Sequence, residues 1–295
     1  MANKNKKANL FVVGAMRAGT TSFMEALAQH PEIYVSPIKE PHYFVETLPK
    51  AIFEPQPENF LENYLKKDFP KLIHRAHVKK LSDYHKLFEK STTEKYRTEG
   101  SISYLHAPGV AEKIKRYNPD AKIIILIRDP LDRAISHYRM NKGLMHENRS
   151  FEAVMKADIK AYQEGRLTWD RILAMSFYRG SIERFKQLFE KSTLVVPFEN
   201  LVSKPHETLV EISTFLNISS CEIPLFPNLN MSKQIRFRNY LSVLHARKLI
   251  PISKWILPGI VKIWAKRFLL SDNKETITIS RELRKALQSI FKKES

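Results

Sequence analysis

The chain has 295 residues, 43% of them hydrophobic, which suffices for one large α/β domain with a sizeable core. Lysine and arginine total 49 against 31 acidic residues, a net charge of +18, so the expected partners are anionic: nucleotide, acidic glycan, nucleic acid or membrane surface. A single cysteine, Cys221, excludes an intrachain disulfide, and no stretch approaches the ~18 uncharged apolar residues of a spanning helix.

The first nine residues, MANKNKKAN, are polar and basic and lack the apolar region of a signal peptide, so the expectation is a cytoplasmic protein. Leu10 to Val13 is then a short, β-branched apolar run that predicts one buried strand. Gly14-Ala15-Met16-Arg17-Ala18-Gly19-Thr20-Thr21 follows, and Ser22 to Gln29 predicts a helix with Phe23, Ala26 and Leu27 on one face. Strand, glycine-bounded loop and helix in this order make an anion cradle, because loop N–H groups and the helix N-terminus converge on one spot. The spacing is that of a phosphate loop, but Thr20 stands where a nucleotidase needs lysine, and the cation has moved into the loop as Arg17.

His30-Pro31 ends that helix, and Ile33 to Val35 predicts a short strand. Pro37 to Phe44 reads as a loop, KEPHYF from Lys39, that brings the carboxylate of Glu40 and the imidazole of His42 beside the cradle. A carboxylate there would repel a nucleotide, which argues for a functional placement. Glu46 to Arg97 reads as an irregular and helical insertion, one wall of an acceptor cleft. Its His74 and His77 lack partners with metal-ligand spacing. Tyr96 to Tyr104 predicts a strand and its exit, Ala107 to Tyr117 a helix, and Lys122 to Ile127 a central parallel strand covered on both faces. Arg128-Asp129-Pro130 caps the C-terminal end of that strand, where α/β sheets bind ligands, and Ser136 follows on the next helix. Arg128 and Ser136 can both serve one phosphate, the guanidinium by its fork and the hydroxyl by a further bond. Asp129 after a strand also mimics the magnesium-holding acid of an ATPase.

Phe177 to Phe189 predicts an amphipathic helix, Thr193 to Val196 a buried strand, and Glu207 to Leu216 a closing helix. Asn228 to Arg238 is a short basic segment with Arg236 and Arg238. Leu249 to Leu270 combines Trp255 and Trp264 with lysines and no acid, a pattern suited to peripheral contact with an anionic membrane. Arg281 to Phe291 predicts a surface helix. One domain is expected over 1–295, with a nucleotide-binding core at 1–225 and a basic segment at 226–295 closing on it.

Three stretches in order, GAMRAGTT, KEPHYF and IILIRDPLDRAISHY, resemble sulfotransferases that use 3′-phosphoadenosine 5′-phosphosulfate (PAPS), in particular heparan sulfate sulfotransferases and short bacterial enzymes of that kind. The resemblance runs from about Leu10 to about Leu216. It implies a three-layer αβα fold around a mainly parallel, phosphate-loop-like sheet, and metal-independent sulfuryl transfer to a hydroxyl or amine. Arg17, Ala18, Gly19, Thr20, Thr21 and Ser22 would hold the 5′-phosphosulfate, and Arg128 and Ser136 the 3′-phosphate. Arg236 or Arg238 would close over the nucleotide. Glu40 would be the general base, with Arg17 and His42 assisting. The acceptor would be a carbohydrate or lipid-linked molecule rather than nucleic acid. The heparan enzymes carry an acid followed by lysine where this chain has Glu99-Gly100, which sets a heparan-type acceptor in question. Two other readings stay open: a nucleotide kinase or NTPase, and a basic binder of polyanions.

Overall fold

A computed structural model describes residues 6–219, 234–235, 270–271 and 277–295. The chain runs β1 (Leu10–Gly14), α1 (Thr20–Leu27), β2 (Ile33–Val35), β3 (Ile38–Glu40), α2 (Phe60–Asn63), β4 (Ile73–Arg75), α3 (Leu81–Lys86) and β5 (Tyr96–Glu99). It continues through α4 (Val110–Tyr117), β6 (Lys122–Ile127), α5 (Pro130–Gly143), α6 (Phe151–Gln163), α7 (Arg179–Phe189), β7 (Thr193–Pro197), α8 (Phe198–Ser203) and α9 (Pro205–Leu216). A short antiparallel pairing of β8 (Gln234–Ile235) with β9 (Leu270–Ser271) and the helix α10 (Arg281–Glu294) follow.

Five strands form one all-parallel sheet in the order β2-β5-β1-β6-β7. The two central runs explain why: β1 is fully buried and β6 carries four fully buried residues, Ile123 to Leu126, so neither strand has a face for water. The chain leaves β1 toward β2 and leaves β6 toward β7, so the sheet has its switch point between them. Ligands of open α/β sheets bind in the crevice outside that point.

The strands expected at Ile33 to Val35, Lys122 to Ile127 and Thr193 to Val196 form as predicted, and the mainly parallel, helix-flanked sheet is the fold expected. Three expectations change. The first helix begins at Thr20, two residues early, because Gly19 adopts the left-handed conformation (φ 83°) and starts it without a side-chain cap. The loop expected from Pro37 instead opens as β3, which pairs in parallel with β4, Ile38 beside Ile73 and Glu40 beside Arg75. That ribbon was illegible because its strands are short, Ile38–Glu40 and Ile73–Arg75, and lie far apart in the chain. The C-terminal helix is no plain surface helix: Leu283, Leu287 and Phe291 are buried with Ala134, Tyr138 and Phe151 in a second core between α5, α6 and α10. Its start is set by Ser280, whose hydroxyl accepts from Leu283 N at 3.3 Å.

Candidate active site

The cradle forms where β1 and β6 diverge. Arg17, Gly19, Thr20, Thr21, Ser22, Arg128 and Phe198 line one cavity of about 100 Å³ at the start of α1. Gly19 is required twice there, by its positive φ and by closeness, since a Cβ would lie 2.7 Å from the Phe198 ring. Gly14 is equally confined, a Cβ meeting Leu105 Cβ at 2.9 Å. The helix has no side-chain cap at Gly19, so its first N–H groups point into the cavity with the positive end of the helix dipole.

Two guanidiniums share this space. Arg17 Nε donates to Ser136 Oγ at 3.1 Å, and Arg128 Nη1 approaches Arg17 O at 3.4 Å while stacking over Phe198 at 4.9 Å. Burial, and then the charge of Arg128, push the Arg17 guanidinium below its ordinary value. An anion between the two would reverse both effects. Arg17 sits at φ 71°, a conformation costly for a residue with a Cβ and held here by its surroundings.

The structure thus brings together Arg17, Gly19, Thr20, Thr21, Ser22 and Arg128, and joins Ser136 to them through Arg17. Ala18 takes a different place from the one expected. It is fully buried and its N–H closes a turn onto Ala15 O at 3.1 Å, so it shapes the loop without lining the cavity. Asp129 is not poised for a metal. Its carboxylate accepts from Asp132 N at 2.9 Å as the cap of α5, and Pro130 follows as the first helical residue. Arg236, Arg238, Cys221 and most of the basic stretch 249–270 lie outside the described residues.

The second half of the site is a buried carboxylate. Glu40 ends β3 with 2% of its side chain exposed. Its Oε1 lies 2.7 Å from Lys39 Nζ and 3.7 Å from His74 Nε2; its Oε2 lies 3.5 Å from His42 Nε2. Burial works against the charge, but Lys39, His42 and Arg75 outweigh it and hold the carboxyl well below the usual range. Glu40 is therefore ionised at neutral pH. His42 is fully buried and is fixed by Ser101 and Ser103: its backbone N–H donates to Ser101 Oγ at 3.0 Å, and Nδ1 shares a bond with Ser103 Oγ at 2.8 Å.

Glu99, the acid of the Glu99-Gly100 pair, is a closed acceptor at the strand end. It accepts from Ser101 N at 3.0 Å, Ser101 Oγ at 2.7 Å and Tyr84 OH at 3.2 Å with no exposure. Burial pushes its carboxyl up to about 7. Lys39, His74, Arg75 and Phe198 escaped the sequence reading as parts of the site. The neighbour of Glu40 in sequence was an available signal for Lys39, but His74 and Arg75 arrive only through the β3–β4 pairing.

The family model described as "Sulfotransferase family" matches residues 9–222. The chain belongs to the sulfotransferase family. It is 26% identical over 235 residues to the mouse bifunctional heparan sulfate N-deacetylase/N-sulfotransferase 3, covering 78% of this chain and 24% of that protein. It is 24% identical over 209 residues to the mouse heparan sulfate glucosamine 3-O-sulfotransferase 5, covering 70% of this chain and 52% of that one. The chain thus spans about a quarter and about half of these curated relatives. A solved sulfotransferase from Alicyclobacillus acidocaldarius superposes with a TM-score of 0.58 at 26% identity, over 85% of this chain and 96% of that one. Among the described residues no helix is long and apolar enough to cross a membrane.

Proposed function

We propose that this sulfotransferase transfers the sulfuryl group of PAPS to an acceptor hydroxyl or amine. The observation that carries the reading is the shared cavity of Arg17, Gly19 to Ser22 and Arg128, two cations and a helix N-terminus facing one small space, in a chain that also holds a buried, ionised glutamate. PAPS supplies an activated sulfuryl group on a phosphate leaving group. The N–H groups and hydroxyls of Thr20, Thr21 and Ser22 would hold the 5′-phosphate. Arg128, with Ser136, would hold the 3′-phosphate. Arg17 would neutralise the phosphate oxygen that gains charge as its bond to sulfur breaks, a contact that strengthens toward the transition state.

Glu40 would take the proton from the acceptor as its oxygen or nitrogen bonds to sulfur. A carboxylate held ionised by Lys39, His42 and Arg75 is a weak base at rest. It is nevertheless the right charge state, and the acceptor proton becomes acidic only as the new bond forms. His42 acts on Glu40 and not on the acceptor: it has no exposure, and its two serine bonds aim Nε2 at Oε2. The kinase reading loses support because Asp129 is engaged as a helix cap.

The test is thermal shift with adenosine 3′,5′-bisphosphate (PAP), followed by transfer of label from PAPS. Stabilisation by PAP that persists in chelator supports the reading. Stabilisation by magnesium-ATP alone would transfer it to the kinase class, and response to polyanions alone to a binder.

A further inference from the structure

The two oxygens of the buried Glu40 carboxylate have unlike neighbours. Oε2 faces His42, which is fully buried. Oε1 faces Lys39 and His74, whose side chains keep 14% and 51% of their exposure. Both residues line a cavity of about 640 Å³ that runs along α1 and β2. Thr21 lines this cavity and the phosphate cradle alike. The cavity therefore shares Thr21 with the phosphate loop and is walled by the two side chains that contact Glu40 Oε1, while Glu40 itself lies behind them. Its size suits a small-molecule ligand.

Its walls are mostly apolar: Met24 on α1 and Ala28 just after it, Ile33 and Val35 on β2, and Leu72 and Ile73 leading into β4. Leu72 is 82% exposed, the most exposed large hydrophobic side chain among the described residues. Such a side chain at a cavity rim marks a surface for apolar contact. The charged groups do not favour a polyanion. Lys39 is already bonded to Glu40, Glu25 and Glu94 are carboxylates, and burial lowers the proton affinity of His74, keeping it neutral near pH 7. Among the described residues, the excess of positive charge is thus not found in this cavity. Gly100 adds none, and a Cβ there would lie 2.9 Å from Met24 Sδ. A second cavity, of about 460 Å³, touches Met16 and Arg75. Its Arg75 Nη1 donates to Ile52 O at 2.8 Å and makes no ion pair with a Glu40 oxygen.

We propose that the larger cavity is the acceptor site and takes an amphiphilic alcohol. A hydroxyl-bearing polar head meets Glu40 Oε1, and an apolar chain lies along α1 and β2. The proposal rests on the sulfuryl-transfer reading. It names an uncharged, chain-bearing acceptor where a polyanionic glycan would be the alternative.

The probes are n-butyl, n-hexyl and n-octyl β-D-glucoside below their micelle concentrations, and a heparosan oligosaccharide. Binding to the PAP complex is followed by calorimetry, so that an imperfect head group does not mask the chain, and transfer by label from PAPS. Affinity should rise about tenfold for each two methylenes buried. Ala28→Trp, at the exposed residue that follows α1 and lines the cavity, should weaken octyl glucoside at least tenfold while the affinity for PAP stays the same. A flat chain-length series, tighter binding of the oligosaccharide than of octyl glucoside, or indifference to Ala28→Trp overturns the proposal. Failure of PAP to bind overturns the sulfuryl-transfer reading itself. PAP binding with a flat series overturns only the acceptor. Binding of monomeric octyl glucoside assigns a dissolved amphiphile. Co-sedimentation restricted to phosphatidylcholine vesicles carrying hexadecyl glucoside assigns a lipid, and either result supports the cavity.

Discussion

The phosphate cradle and the Glu40 centre solve opposite electrostatic problems. In the cradle two guanidiniums crowd each other, and burial and Arg128 lower the proton affinity of Arg17. At Glu40 one carboxylate is surrounded by Lys39, His42, His74 and Arg75 and is over-stabilised as an anion. The first region awaits negative charge from outside; the second has been neutralised from within. Placing a neutralised carboxylate beside a cationic cradle lets an anionic substrate approach a base without meeting its full repulsion. Glu99 sharpens the contrast. It is as buried as Glu40, but its partners are neutral hydroxyls and an N–H, so burial wins and its carboxyl rises to about 7.

The contrast can be broken at several points. Removing the proton acceptor should have the largest effect. Glu40→Gln keeps size and should lower kcat by roughly 10²–10⁴-fold while calorimetry finds PAP affinity unchanged. Near-wild-type turnover of Glu40→Gln would mean that the over-stabilised anion is structural.

The next effect is on stability and separates the two glutamates. Glu99 binds its proton more tightly folded than unfolded, so between pH 4.5 and about 7 the native chain keeps a proton the unfolded chain has released. Stability from this group is fully present below that window and falls as pH rises through it, by roughly 3 kcal/mol in all. Glu40 has the opposite sign: its stabilisation is present above its unfolded value and lost as pH falls. Urea unfolding of Glu99→Gln between pH 5 and pH 8 should therefore show a flatter decline than the wild type. An identical slope would remove Glu99 from the account.

On the cradle side, Arg128→Ala should weaken PAP by roughly 10–100-fold, the loss of charge-assisted bonds. Adenosine 5′-phosphosulfate, which lacks the 3′-phosphate, should be affected much less. Equal losses would show that Arg128 serves the whole cradle and not one phosphate. The smallest effect is steric. Gly19→Ala puts a Cβ against Phe198 at a positive φ and should cost about 1–2 kcal/mol, read as a lower Tm. Combining it with Phe198→Ala should recover the steric part and leave the cost of the backbone conformation.

How legible each region was follows from how far apart its residues lie in the chain. The cradle is nearly contiguous. Gly14 to Ser22 spell strand, loop and helix in one window, and Arg128 sits at the end of a run, Lys122 to Ile127, whose unbroken hydrophobicity announces a central parallel strand. The Glu40 centre is not contiguous. Glu40 and His42 were visible as polar residues beside the cradle, but their burial was not, because it depends on a pairing with residues 73–75 and on Ser101 and Ser103 after β5.

The amino-acid sequence by itself determined the parallel sheet, the phosphate loop and the residues that converge on it, since local periodicity and glycine placement need only neighbours in the chain. Tertiary structure alone decided which carboxylate is an anion and which keeps its proton. It also decided that His42 faces Glu40, that Asp129 caps a helix, and that Lys39 and His74, the neighbours of Glu40 Oε1, line an apolar cavity. These are properties of desolvation and of distances between residues far apart in sequence, and a linear pattern carries neither.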